Sequence, residues 1–79
     1  MTDSSEDLVV DARGHHCPVP TLRLRRALES VHDQVVRLIA DDPMARIDVP
    51  HFVREAGAKL IETTETAGVL TFRVRRPQA

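Results

Sequence analysis

The stretch His15-His16-Cys17-Pro18-Val19-Pro20 gathers the only cysteine of a 79-residue chain, two imidazoles and two prolines. A thiol becomes a strong nucleophile once ionised, and ionisation is favoured at a helix N-terminus or beside cationic groups. The prolines indicate where such a helix begins. A proline at the first helical position gives up an N–H that has no partner inside the helix, and its fixed φ suits the first turn. Pro18 is therefore expected at that position with Cys17 as the N-cap, and Pro20 still falls among residues whose amides lack an intrahelical acceptor. The amides of Val19 and Thr21 are left to face the cap, where a helix end carries about half a positive charge. Arg13, His15 and His16 add to it if they lie close. Cys17 thus reads as an activated thiolate with a pKa below the reference of about 8.5, its reactivity responding at about pH 6 to 7 through the imidazoles. The apolar bulk of Val19 opposes this, because it desolvates a thiolate. The other reading of Cys17 is a buried cysteine acting as a small hydrophobe. Although His15, His16 and Cys17 are all zinc or copper ligand types, adjacent residues rarely converge on one ion and no fourth ligand is evident, so no metal is expected.

Several elements must hold this stretch. Residues 1–7 are polar and acidic with no apolar pattern and read as a disordered tail. Leu8 to Ala12 is a short strand, and Gly14 shapes the turn after it through its φ freedom. From Pro18 to about Ser30 the helical period of about 100° per residue puts Leu24, Ala27, Leu28 and Val31 on one face, against a sheet. Leu22 falls on the opposite side with Arg25, Arg26 and Glu29. A solvent-facing leucine one turn from the sulfur suits docking of a partner, although single exposed leucines are common and need no role. Val35 to Ala40 reads as a central strand covered on both faces or nearly so. Asp42 before Pro43 and Asp48 before Pro50 are both helix-start signals, leaving open a kinked helix from Pro43 or a turn followed by a helix near Pro50. Phe52, Val53 and Ala56 give that helix its apolar stripe, with Gly57 as the C-cap. Ala58 to Glu65, a turn at Thr66-Ala67-Gly68, and Val69 to Arg75 form a hairpin. The order strand, helix, strand, helix, strand, strand gives a two-layer α/β sandwich, with both helices on one face of a mixed four-stranded sheet and an antiparallel last strand. One domain spans residues 8–76.

Composition narrows the function. A chain this short forms one domain with little stability to spare. One cysteine cannot form an internal disulfide, and no apolar run suits a signal peptide or membrane span, so a cytoplasmic setting and no membrane association are expected. The formal charge is only −1, which argues against electrostatic binding of nucleic acid. With Phe52 and Phe72 as the only aromatics, the stacking platforms of single-strand binders are missing. His51 is expected in solvent. Arg73, Arg75 and Arg76 alternate off the core face of the last strand, as an exposed edge or face that resists aggregation or as a partner site.

The motif Gly14-x-x-Cys17-Pro18-x-Pro20 resembles that of the TusA-like sulfur carriers, also called the SirA family. Asp41-Asp42-Pro43, Asp48-Val49-Pro50 and Phe52 also match that family in type and order, and the resemblance covers Leu8 to Arg76. It implies a sheet of strand order 1-2-4-3 and a sulfurtransferase role in which Cys17 carries sulfane sulfur as a persulfide. The implied donor is a cysteine desulfurase or a rhodanese-like protein, the implied acceptor a downstream protein, and the outcome tRNA thiolation or related sulfur trafficking. Family positions that meet partners fall on Leu22, Arg25 and Asp42, while Gly14, Pro18 and Pro20 shape the site. Val19 stands where the family often has an acidic residue, His15 where an aliphatic one is usual, and His32-Asp33-Gln34 where a glycine is common. These departures bear on which partner is recognised. A lone thiol relays sulfur by exchange steps that need no cofactor, and a monomer is expected. The rival reading is a non-enzymatic regulatory or RNA-associated module, because the fold also resembles the C-terminal domain of a bacterial translation initiation factor, and fold does not fix function.

Overall fold

In a computed structural model the described residues are 7–16, 18–31 and 34–76. Cys17, residues 1–6 of the expected tail, and residues 32–33 of the polar connection lie outside them. The elements run β1 (Leu8–Asp11), α1 (Val19–Ser30), β2 (Val35–Ala40), α2 (Ala45–Ala56), β3 (Lys59–Thr66) and β4 (Val69–Arg75). The four strands form one sheet in the order β1-β2-β4-β3, as expected. β1 pairs parallel to β2, with Leu8 opposite Val36 and Asp11 opposite Ile39. β4 runs antiparallel to both β2 and β3.

Period-two alternation assigns the two faces of the sheet. Val36, Leu38 and Ala40 of β2 and Leu70, Phe72 and Val74 of β4 are buried beneath the helices, where Leu24, Ala27, Leu28 and Val31 meet them as the helical period requires. From α2 the buried set is Ala45, Val49 and Val53, spaced by one turn. Phe52 is partly buried against this core, whereas Ala56 is exposed, because the stripe begins a turn earlier than its sequence suggests.

The opposite face of the sheet is uncovered. Val9, Arg37 and Ile61 are exposed, so β2 is covered on one face and not on both. Its apolar run reflects a central position between β1 and β4. Arg73 and Arg75 project from a strand that is interior to the sheet, and β1 and β3 are the edges. Arg73 is engaged by Asp7 and Glu62, and Arg76 donates to the Val31 carbonyl. Asp7, which the sequence reading put in the tail, has its side chain only 5% exposed between Arg37 and Arg73.

The second helix is one continuous helix through Pro50. It begins at Ala45 after a turn in which Asp42 accepts the Met44 amide on its side chain (3.1 Å) and the Ala45 amide on its carbonyl (2.9 Å). Asp48 lies within the first turn of this helix, where an anionic side chain suits the local positive potential. Gly57 closes the helix with φ 73°: its amide bonds to Arg54 and the Ala58 amide to Val53, the paired bonding of a Schellman closure. In the hairpin Thr66 pairs with Val69 across a two-residue turn, Ala67 (φ 52°) and Gly68 (φ 82°), the twist-matched geometry of tight hairpins.

Candidate functional site

β1 and β2 run parallel, so the connections leaving them, to α1 and α2, lie at the same end of the sheet. Ligand and reaction sites of open α/β sheets gather at such carboxyl ends. The connection after β1 is the one that carries Cys17.

This loop is tightly tied. The Ala12 amide donates to the Ile39 carbonyl at 2.7 Å, and the His15 amide closes a turn onto the Ala12 carbonyl at 3.2 Å. Gly14 takes φ 85° in that turn, the left-handed value at which a side chain would be strained. Its amide donates to Asp41 Oδ1 at 3.0 Å, from β1's loop to β2's. The Arg13 guanidinium forks onto Asp11, with Nε to Oδ1 at 2.9 Å and Nη2 to Oδ2 at 2.7 Å. That hydrogen bonding holds the Asp11 carboxyl down to about 2. The Arg13 guanidinium is therefore paired with a neighbouring carboxylate. Arg23, reaching back from α1, donates to the Asp11 carbonyl.

The start of α1 differs by one residue from the sequence expectation. Pro18 is the N-cap and Val19 the first helical residue, which puts Pro20 at the second position. The Val19 amide is occupied by the His16 carbonyl at 2.9 Å, so it does not face the cap unbonded as expected. The Thr21 hydroxyl donates to the Pro18 carbonyl at 2.8 Å. Pro20 is buried at the helix start. On either side of Cys17, Pro18 is exposed and the His16 side chain is 94% exposed, with its Nδ1 3.9 Å from Asp42 Oδ2.

Leu22 is 53% exposed, as the helical phase requires. Arg25 is exposed too, but its guanidinium lies 5.9 Å from the Phe52 ring centroid, within cation–π range. It rims a groove of about 440 Å³ between the helices, together with Leu28, Glu29, Phe52, Glu55 and Arg76. Asp42 is only 11% exposed at its side chain and is engaged by the Met44 amide and His16. Asp41 is the residue of this site to which sequence reasoning gave no role, because Asp41-Asp42-Pro43 read as the end of a strand, the start of a helix and a match to the family, with only Asp42 expected to meet a partner. Met44 (49% exposed) and Ile47 (63%) are two further large apolar side chains at the α2 entrance.

Fold and site define a small two-layer α/β domain that presents a thiol-bearing loop at the carboxyl end of its parallel strands. The family model described as Sulfurtransferase TusA matches residues 8–76, and the chain belongs to that family. The sulfur carrier protein TusA of Pseudomonas putida (strain GB-1) is 34% identical over 77 residues, covering 96% of each chain. That of Allochromatium vinosum is also 34% identical over 77 residues, covering 96% of this chain and 99% of its own. The crystal structure of the SirA-like protein from Desulfitobacterium hafniense superposes with a TM-score of 0.79 at 24% identity, covering 90% of this chain and 99% of that one, which shows the shared fold. Sulfur transfer is thus the general chemistry of the family to which this chain belongs. No helix among the described residues is long and apolar enough to cross a membrane.

Proposed function

We propose that this protein is a cytoplasmic sulfur carrier that accepts sulfane sulfur as a persulfide on Cys17 and passes it to an acceptor protein. Family membership over residues 8–76 carries the reading, because within that match the chain offers one thiol and no other cysteine. In the loading step the Cys17 thiolate attacks the outer sulfur of a donor persulfide. The donor's S–S bond breaks, the donor thiolate leaves, and a new S–S bond forms on Cys17. In the unloading step an acceptor thiolate attacks that outer sulfur and Cys17 leaves as thiolate. Each step exchanges one S–S bond for another, so no oxidant or metal is consumed.

Gly14, Pro18 and Pro20 shape the loop and helix start in this reading, while Leu22, Arg25 and Asp42 meet partners. The donor is a cysteine desulfurase or a rhodanese-like protein, and the delivered sulfur serves tRNA thiolation or a related trafficking route. With no second cysteine to resolve it internally, the persulfide waits for a partner. Incubation with a cysteine desulfurase and cysteine tests the proposal. Intact mass should rise by one sulfur atom, the adduct should be lost on reduction, and Cys17→Ser should show none. An adduct that survives Cys17→Ser, or none with several donors, contradicts it.

A further inference from the structure

The loop before Cys17 continues the pairing of β1 with β2 after the strands end. In the ladder Asp11 lies opposite Ile39. Beyond it the Ala12 amide still reaches the Ile39 carbonyl at 2.7 Å. Two residues on, the Gly14 amide finds no backbone partner on β2 but the side chain of Asp41, at 3.0 Å. Two residues further, His16 approaches the Asp42 carboxylate at 3.9 Å. Side chains of the Asp41-Asp42 pair thus take over where backbone carbonyls stop. Asp42 is itself fixed by the Met44 amide at the entrance of α2. The Gly14 to Asp41 bond is the well-formed link in this extension, and Cys17 follows Gly14 by three residues.

We propose that Asp41 is a positioning residue for the reaction of Cys17: its carboxylate, through the Gly14 amide, ties the loop that leads to Cys17 to the end of β2. The inference rests on the carrier reading for its reaction and on the hydrogen bond for its mechanism. Asp41 is exposed and stands outside the buried core, so its acceptor oxygen matters to the loop more than to folding. Gly14 has φ 85°, a conformation its own φ freedom permits without strain, so without Asp41 the amide has only water to hold it. Exchange between two protein-bound sulfurs demands close alignment, and a displacement of about 1 Å costs up to about a hundredfold in rate.

Asp41→Ala and Asp41→Asn separate the hydrogen bond from the charge, because both lose the charge and only asparagine keeps an acceptor oxygen. Sulfur uptake is measured from a rhodanese loaded with thiosulfate, alongside alkylation of Cys17 by iodoacetamide as a function of pH and the melting temperature of each protein. The expected result is uptake reduced about tenfold in Asp41→Ala and restored to within about twofold of wild type in Asp41→Asn. The two variants should also differ in alkylation profile while melting within a few degrees of each other. Equal uptake and equal alkylation in the two variants overturn the proposal, whether both match wild type or both are slowed. If the wild type takes up no sulfur from this or several other donors, the carrier reading falls, and the alkylation comparison still decides the role of Asp41. An Asp41→Ala protein that fails to fold beside a folded Asp41→Asn overturns it as well, since the bond would then be structural.

Discussion

Asp7 and Arg73, 66 positions apart in the chain, meet at 2.9 Å on the open face of the sheet, and the same carboxylate oxygen lies 3.2 Å from Arg37. The contact ties the residue before β1 to both central strands. Arg73 is also held by Glu62 on β3 at 3.3 Å, so one acidic–basic row spans the sheet from its entry to its far edge.

The Arg73 hydrogen bond, reinforced by the charges of Arg73 and Arg37 and opposed by burial, holds the Asp7 carboxyl below its ordinary value of 3.8. A group whose folded pKa is depressed stabilises the fold fully above its unfolded value, and that contribution is lost as pH falls through the folded one. Asp7→Asn is therefore expected to melt lower than wild type at neutral pH, on the order of 5 °C for a domain of this size. Thermal melts in an acid series should show that deficit shrinking once the pH passes below the ordinary carboxylate value. A deficit that does not vary with pH would assign the loss to packing.

Leu22 separates docking from stability. Since the side chain is 53% exposed, Leu22→Ala should change stability by no more than about 0.5 kcal/mol and still slow sulfur uptake from a protein donor. Uptake from inorganic polysulfide, which needs no docking, should be unaffected. For Arg25→Ala the same pattern is expected with a small added loss of stability, because the guanidinium lies over the Phe52 ring. A large fall in the melting temperature of Leu22→Ala would remove Leu22 from the docking face.

Ala67 occupies the first position of the hairpin turn at φ 52°. A left-handed conformation costs an L-residue about 1–2 kcal/mol, and asparagine tolerates it best among residues with side chains. Ala67→Asn should stabilise the protein by about 1 kcal/mol in denaturant unfolding, without touching the site.

Much of this architecture was legible in the chain. The phase of Leu24, Ala27, Leu28 and Val31 gave α1 its buried face, and alternation from Val69 to Arg75 gave β4 its two faces. The prolines, however, could not be read to the residue: Pro18 suits the first helical position, and only the Leu22 amide, bonded to the Pro18 carbonyl at 3.0 Å, makes it the N-cap. Pro50 left the start of α2 open, because a helix-start signal also fits a helix already one turn old, where packing of Val49 and Val53 carries the chain through. Ala67 carries no local signal for positive φ, and the two flanking strands impose it. Long-range ties were the least legible. Nothing local in Asp7 or Asp41 indicates a partner, since Arg73 and Gly14 become neighbours only when the sheet closes.

The central claim, that Cys17 holds one transferable sulfur, is tested most directly by loading and discharge in a single turnover. The protein is charged with radiolabelled sulfur from a cysteine desulfurase, freed of donor, and mixed with dithiothreitol as the accepting thiol in the absence of oxidant. The account predicts one labelled sulfur per chain on the peptide containing Cys17, its complete release as sulfide, and recovery of a free thiol that can be charged again. Label retained by Cys17→Ser, or a wild-type adduct that thiol cannot discharge, would contradict it.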